Sequence, residues 1–134
     1  MKIPLLKQNI KIMTLKNVLL INAISSGITG LLLVLTPDTF ASLFKTDKLT
    51  PFTAVGIFLI LFSLVVLINA LQKPIKKSLT QLIIGLDLTW VLASIITTMF
   101  LFSSISHIGS IIILAIASWV GLMAYLQKKF INTI

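Results

Sequence analysis

Asp87 is the residue of this chain best placed to do chemistry. It is the single ionised side chain between Ser78 and Gln127, a run of fifty residues that is otherwise apolar or neutral. A carboxylate among lipid tails costs about 2.5–3.5 kcal/mol even on the mildest insertion scale, so Asp87 must face protein or water. No lysine lies at its depth in the sequence. Its expected partners are therefore Asn22, Asn69, Thr89 or Ser118, or else it keeps its proton. Trp90 falls one helical turn beyond Asp87 on the same face, and Trp119 sits near the middle of a later apolar run, away from the headgroup level where tryptophan usually gathers. Asp87, Trp90 and Trp119 could wall a ligand or proton site, with ring faces and charge suited to a cation or lipophilic molecule. The plainer reading makes Asp87 polar glue between helices and each tryptophan part of the packing.

Little else in the chain suggests chemistry. His107 is the only histidine and occupies a turn, with no companion ligands for haem or zinc. With no cysteines, thiolate metal sites and cysteine nucleophiles are excluded. There is no hydrolase elbow, phosphate loop, dinucleotide fingerprint or pair of carboxylates. The expectation is a protein that is not an enzyme and uses no metal or cofactor.

The elements that position these residues follow from composition. Of 134 residues, 57% are hydrophobic and 10% charged, and the mean hydropathy is +1.12. A soluble domain would carry about a quarter charged residues. The length allows one domain. Val18–Thr36 and Phe52–Gln72 are free of charge, and Ser103–His107 divides the long run after Ser78 in two. At about 1.5 Å per residue each piece can cross roughly 30 Å of hydrocarbon. The prediction is an all-α, polytopic four-transmembrane-helix bundle with spans at about 18–36, 52–72, 79–102 and 108–126, preceded by a basic amphipathic arm, 1–17. Pro51 suits a first helical turn, Pro74 ends span two, and Ser78-Leu79-Thr80-Gln81 reads as a capping box opening span three.

All eleven basic residues are lysine, and the formal net charge is +8. Without arginine forks, that charge points to membrane orientation and not to nucleic acid. Lys2, Lys7, Lys11, Lys16, Lys73, Lys76, Lys77, Lys128 and Lys129 would share one side, against Lys45 and Lys48, which Asp38 and Asp47 offset. The positive-inside bias then puts both termini in the cytoplasm of a bacterial plasma (inner) membrane. Ile3, Leu6, Ile10 and Met13 recur at helical spacing, so the arm would lie along the headgroups, with Lys2, Lys7, Lys11 and Lys16 contacting anionic lipid. In the external loop Phe40, Leu43 and Phe44 allow a short helix opened by Thr36-Pro37-Asp38, either a lid or a simple interfacial turn.

Ala23, Ser26, Gly27 and Gly30 in span one, and Ala117 and Gly121 in span four, are small residues at spacings that let helices approach closely. That contact could be internal or with a second copy or another membrane protein. Residues 62–73 line up with 117–128, and Asn22 falls opposite Asp87, so the halves could be parallel helical-hairpin repeats with a site at their interface. As expected partners of the carboxylate, Asn22, Asn69 and Ser118 join Asp87, Trp90 and Trp119 as candidate site residues.

In size and span number the chain is similar to small four-helix multidrug exporters, which use one intramembrane carboxylate. It departs from them in placing the carboxylate in span three and in its one-sided lysine bias. Two functions remain in view: a non-enzymatic interaction, accessory or lipid-binding protein, or a small carrier for protons, cations or lipophilic molecules using Asp87.

Overall fold

The computed structural model describes the backbone of residues 3–132 and the side chains of residues 14–132. Lys2 lies outside the described residues, as do the side chains of Lys7 and Lys11. The chain is all-helical, with no strand among the described residues. Its five helices are α1 (Ile3–Leu35), α2 (Pro37–Phe44), α3 (Thr50–Leu71), α4 (Lys77–Leu101) and α5 (His107–Ile131). Four are long and apolar enough to span a membrane, over Thr14–Leu35, Thr50–Leu71, Lys77–Leu101 and His107–Ile131.

The expected break between arm and first span is absent: α1 runs through residues 3–35 as one helix. Its only proline, Pro4, falls in the first turn, and nothing later interrupts propagation. The short helix expected between spans one and two forms as α2, with Pro37 in its first turn beside Asp38. It ends at Lys45, whose backbone is left-handed (φ 57°, ψ 48°). There Lys45 N bonds Ser42 O at 3.1 Å and Thr46 N bonds Ala41 O at 2.9 Å. This is the reversal that glycine usually supplies.

The capping box at Ser78 does not form. Helix α4 starts at Lys77, two residues before the expected 79, with Lys76 at its cap and no side-chain capping bond. Asn69 shapes that corner instead: its Oδ1 accepts Lys76 N at 3.2 Å, and its Nδ2 donates to Thr80 Oγ1 at 2.9 Å. Thr80 Oγ1 in turn donates to Lys76 O at 2.9 Å. Asn69 and Thr80 are both fully buried.

The spans form two hairpins. Helix α1 packs along α3, α4 packs along α5, and the hairpins meet where α1 lies against α5. The helices thus follow one another in an arc, α3–α1–α5–α4. Glycine decides the α1–α3 distance. A Cβ on Gly30 would stand 2.8 Å from the Gly56 carbonyl oxygen, and one on Gly56 would stand 2.7 Å from Val34 Cγ2. Gly27 faces Ser63, whose Oγ would be 3.3 Å from an added Cβ. Ala23 is buried among Leu19, Phe62 and Val66. In α5, Ala117 is buried and Gly121 faces Val91 of α4. These small-residue contacts are internal, and they replace the hydrophobic drive that lipid removes.

At the end opposite the clustered lysines, α2 clamps the two hairpins together. Ser106 caps α5 by accepting Gly109 N at 3.0 Å, while its own hydroxyl donates to Leu43 O and its N–H to Phe44 O. Phe44 packs edge-on against Phe52 of α3, ring centroids 5.0 Å apart. It also covers Gly109, where any Cβ would come within 2.8 Å of its ring.

Candidate functional site

Asp87 projects from α4 toward α1 and α5, about 15 Å along the helix from Lys77. It is 2% exposed. Its Oδ2 accepts two amide bonds, from Asn22 Nδ2 at 3.2 Å and from Gln127 Nε2 at 2.9 Å. The same Asn22 Nδ2 donates to Gln127 Oε1 at 2.9 Å, and Ser26 Oγ donates to Asn22 Oδ1 at 3.2 Å. Three helices thus meet in one closed polar knot in which the Asn22 and Gln127 amides both donate to the carboxylate. Asn22, Ser26 and Gln127 are all buried. The partners are neutral amides, and no lysine among the described residues pairs with Asp87.

The residues singled out in the sequence are distributed unevenly about this knot. Asn22 and Ser26 belong to it. Asn69 does not, because it holds the α3–α4 corner. Ser118 bonds Leu114 O at 2.9 Å on the exposed side of α5, and Thr89 bonds Gly85 O at 2.8 Å on the exposed side of α4. Lys16 is half-buried at the start of span one. His107 is exposed, edge-on to Phe102 with ring centroids 5.4 Å apart.

The two tryptophans do not share a wall. Trp119 is exposed on the α1–α5 seam, where its Nε1 donates to Ser25 Oγ at 3.0 Å. Trp90 stacks on Phe58 across the gap between α4 and α3, with centroids 6.0 Å apart and planes 5° apart. Phe58 in turn stacks on Phe62 at 6.2 Å. Trp90 and both phenylalanines line a crevice with Ser26, Asp87 and Val120. Its volume is about 20 Å³, room for roughly one water molecule. A larger hollow of about 470 Å³ lies between α4 and α5, lined by Ile95, Thr98, Met99, Phe102 and Leu114. It holds no charged group and does not include Asp87.

Gln127 and Phe58 were not singled out from the sequence. A signal for Gln127 existed: it continues the small-residue face of α5, one turn past Ala124 and one before Ile131, both buried. For Phe58 there was none, since phenylalanine in an apolar run fits any face.

Chemically, the arrangement can anchor a carboxylate within the membrane and hold three helices in fixed register. The chain matches no family model, no curated protein and no solved structure.

Proposed function

We propose that this chain is a non-enzymatic multi-pass protein of the bacterial plasma membrane that works by interaction, as an accessory or lipid-binding protein. Both termini lie in the cytoplasm, where the clustered lysines meet anionic headgroups. Its partner is lipid together with another membrane protein or a second copy of the chain. Asp87 serves as a bolt between the hairpins. One observation carries this reading: Asp87 is 2% exposed and tied to Asn22 and Gln127, and the crevice beside it measures about 20 Å³. Small-molecule sites occupy about 300–1,000 Å³. A carrier needs its charge to meet solute and water in turn, and this site has room for one oxygen but none for a solute in transit.

Proteoliposomes with an imposed pH gradient test the proposal. Wild type and Asp87→Asn should dissipate the gradient no faster than empty vesicles. Dissipation by wild type that Asp87→Asn abolishes, with folding intact, would establish the carrier and sink the bolt. Crosslinking in intact cells should trap a stoichiometric partner, and a lone monomer would refute action by interaction. Reporter fusions at Met1 and Ile134 should both read out as cytoplasmic.

A further inference from the structure

We propose that the crevice between α3 and α4 is a binding site for one hydroxyl oxygen, which accepts a hydrogen bond from Trp90 Nε1 and donates one to Asp87. The indole N–H of Trp90 is buried and has no partner. Indole nitrogen is a donor only, and buried N–H groups are almost always satisfied. Asp87 lines the same crevice, and both amide bonds it receives fall on Oδ2. A carboxylate offers about four acceptor positions over its two oxygens. The crevice therefore brings together a residue whose donor has no acceptor and a carboxylate with acceptor capacity to spare.

Polarity then selects the occupant. A carbonyl would satisfy the indole but turn its lone pairs on the carboxylate. An ammonium would satisfy the carboxylate but offer the indole no lone pair. A hydroxyl does both, and the volume of about 20 Å³ fits one oxygen. Ser26, on the same wall, has already given its proton to Asn22. Two sources supply this chemistry: a water molecule, or the hydroxyl of a lipid entering from the bilayer. The second has a route, because α3 and α4 scarcely touch along their length and Phe58, 45% exposed, is the outer ring of the stack that closes the gap. The proposal rests on the membrane setting but not on action by interaction.

The test uses the full chain carrying Trp119→Phe, so that Trp90 is the only indole, in phosphatidylcholine vesicles. Infrared difference spectra in H₂¹⁶O and H₂¹⁸O should show an isotope-sensitive O–H band that disappears on adding Trp90→Phe, which keeps the ring stack. Val120→Leu, which adds a methylene to the crevice wall and touches no polar group, should remove the band as well. That result identifies water. If no band is seen, but a long-chain alcohol brominated beside its hydroxyl quenches Trp90 saturably and its methyl ether does not, the source is lipid. Neither signal, in chains whose circular dichroism and melting match wild type, overturns the site and leaves the proposed function standing.

Discussion

Replacing Gln127 by Leu tests whether the polar knot holds the two hairpins in register. Gln127 is fully buried, so leucine of similar volume changes packing little and gains no contact with lipid. Two bonds of 2.9 Å disappear, one given to Asp87 and one received from Asn22. Side-chain hydrogen bonds between membrane helices average about 0.6 kcal/mol and reach about 1.7, so the pair accounts for about 1–3 kcal/mol. Asp87 is left with Asn22 alone, at 3.2 Å, and a buried charge that loses a partner pushes the loss toward the upper end. The expected destabilisation is about 2–3 kcal/mol, thirtyfold or more in the unfolding constant. Reversible unfolding in mixed micelles, followed by helicity or steric trapping, measures it. Asp87→Leu/Gln127→Leu should cost less than the sum of the single changes, with a coupling of about 1 kcal/mol or more. A Gln127→Leu chain as stable as wild type, or strictly additive effects, would show that the knot contributes nothing.

Gly56→Ala should destabilise the bundle by about 1–3 kcal/mol in the same assay, because its Cβ meets the Gly30 carbonyl oxygen at 2.8 Å and α1 and α3 must part. Gly85→Ala, with nothing within 4 Å, should be neutral or stabilise by up to about 1 kcal/mol through helix propensity; equal effects at the two positions would refute the close approach. Lys45→Gly should be more stable than Lys45→Ala by about 1 kcal/mol, since both lose the charge and only glycine relieves the left-handed backbone at φ 57°. Asn69→Leu leaves the Lys76 N–H and Thr80 hydroxyl short of a partner, at about 1–3 kcal/mol; amide exchange should quicken at Lys76 before the centre of α4, and uniform exchange along α4 would count against the corner.

The spans could be read from hydropathy because their cause is local: a backbone in lipid must satisfy its own hydrogen bonds, so every long uncharged run becomes a helix. Span two, expected at 52–72, is helical over Thr50–Leu71, and span four, expected from 108, begins at His107. Helix rotation could not be read this way. Leu64 is exposed and Val66 fully buried, yet both are apolar, because the bilayer and the protein interior select the same side chains. The two tryptophans illustrate the consequence. Each could be placed at mid-span from sequence, but only packing puts Trp90 against Phe58 and Trp119 on the α1–α5 seam.

What fixes rotation is the small set of residues that cannot be indifferent to their neighbours. Gly30 and Gly56 admit one approach of α1 to α3. Above that contact, Ser106 ties α5 to the end of α2; below it, Asn69 ties α3 to α4; between them, Asn22, Asp87 and Gln127 tie α1, α4 and α5. Each tie joins segments that apolar packing alone would leave free to turn or slide, since no hydrophobic force distinguishes one greasy face from another in lipid. Asn22 could be set opposite Asp87 by comparing the halves, because both are polar residues at matching depth in apolar runs. Gln127 escaped because an uncharged amide two residues from Lys129 resembles the end of a span, although its helix continues to Ile131 and carries it inward. These ties also determine where the protein can change state. A conformational change that moves one hairpin on the other must break the knot at Asp87, whereas one confined to the α2 end need only release Ser106 from Leu43 and Phe44. The Gln127→Leu chain therefore separates the two, because it weakens the tie between the hairpins to the single Asn22–Asp87 bond while leaving the Ser106 clamp closed.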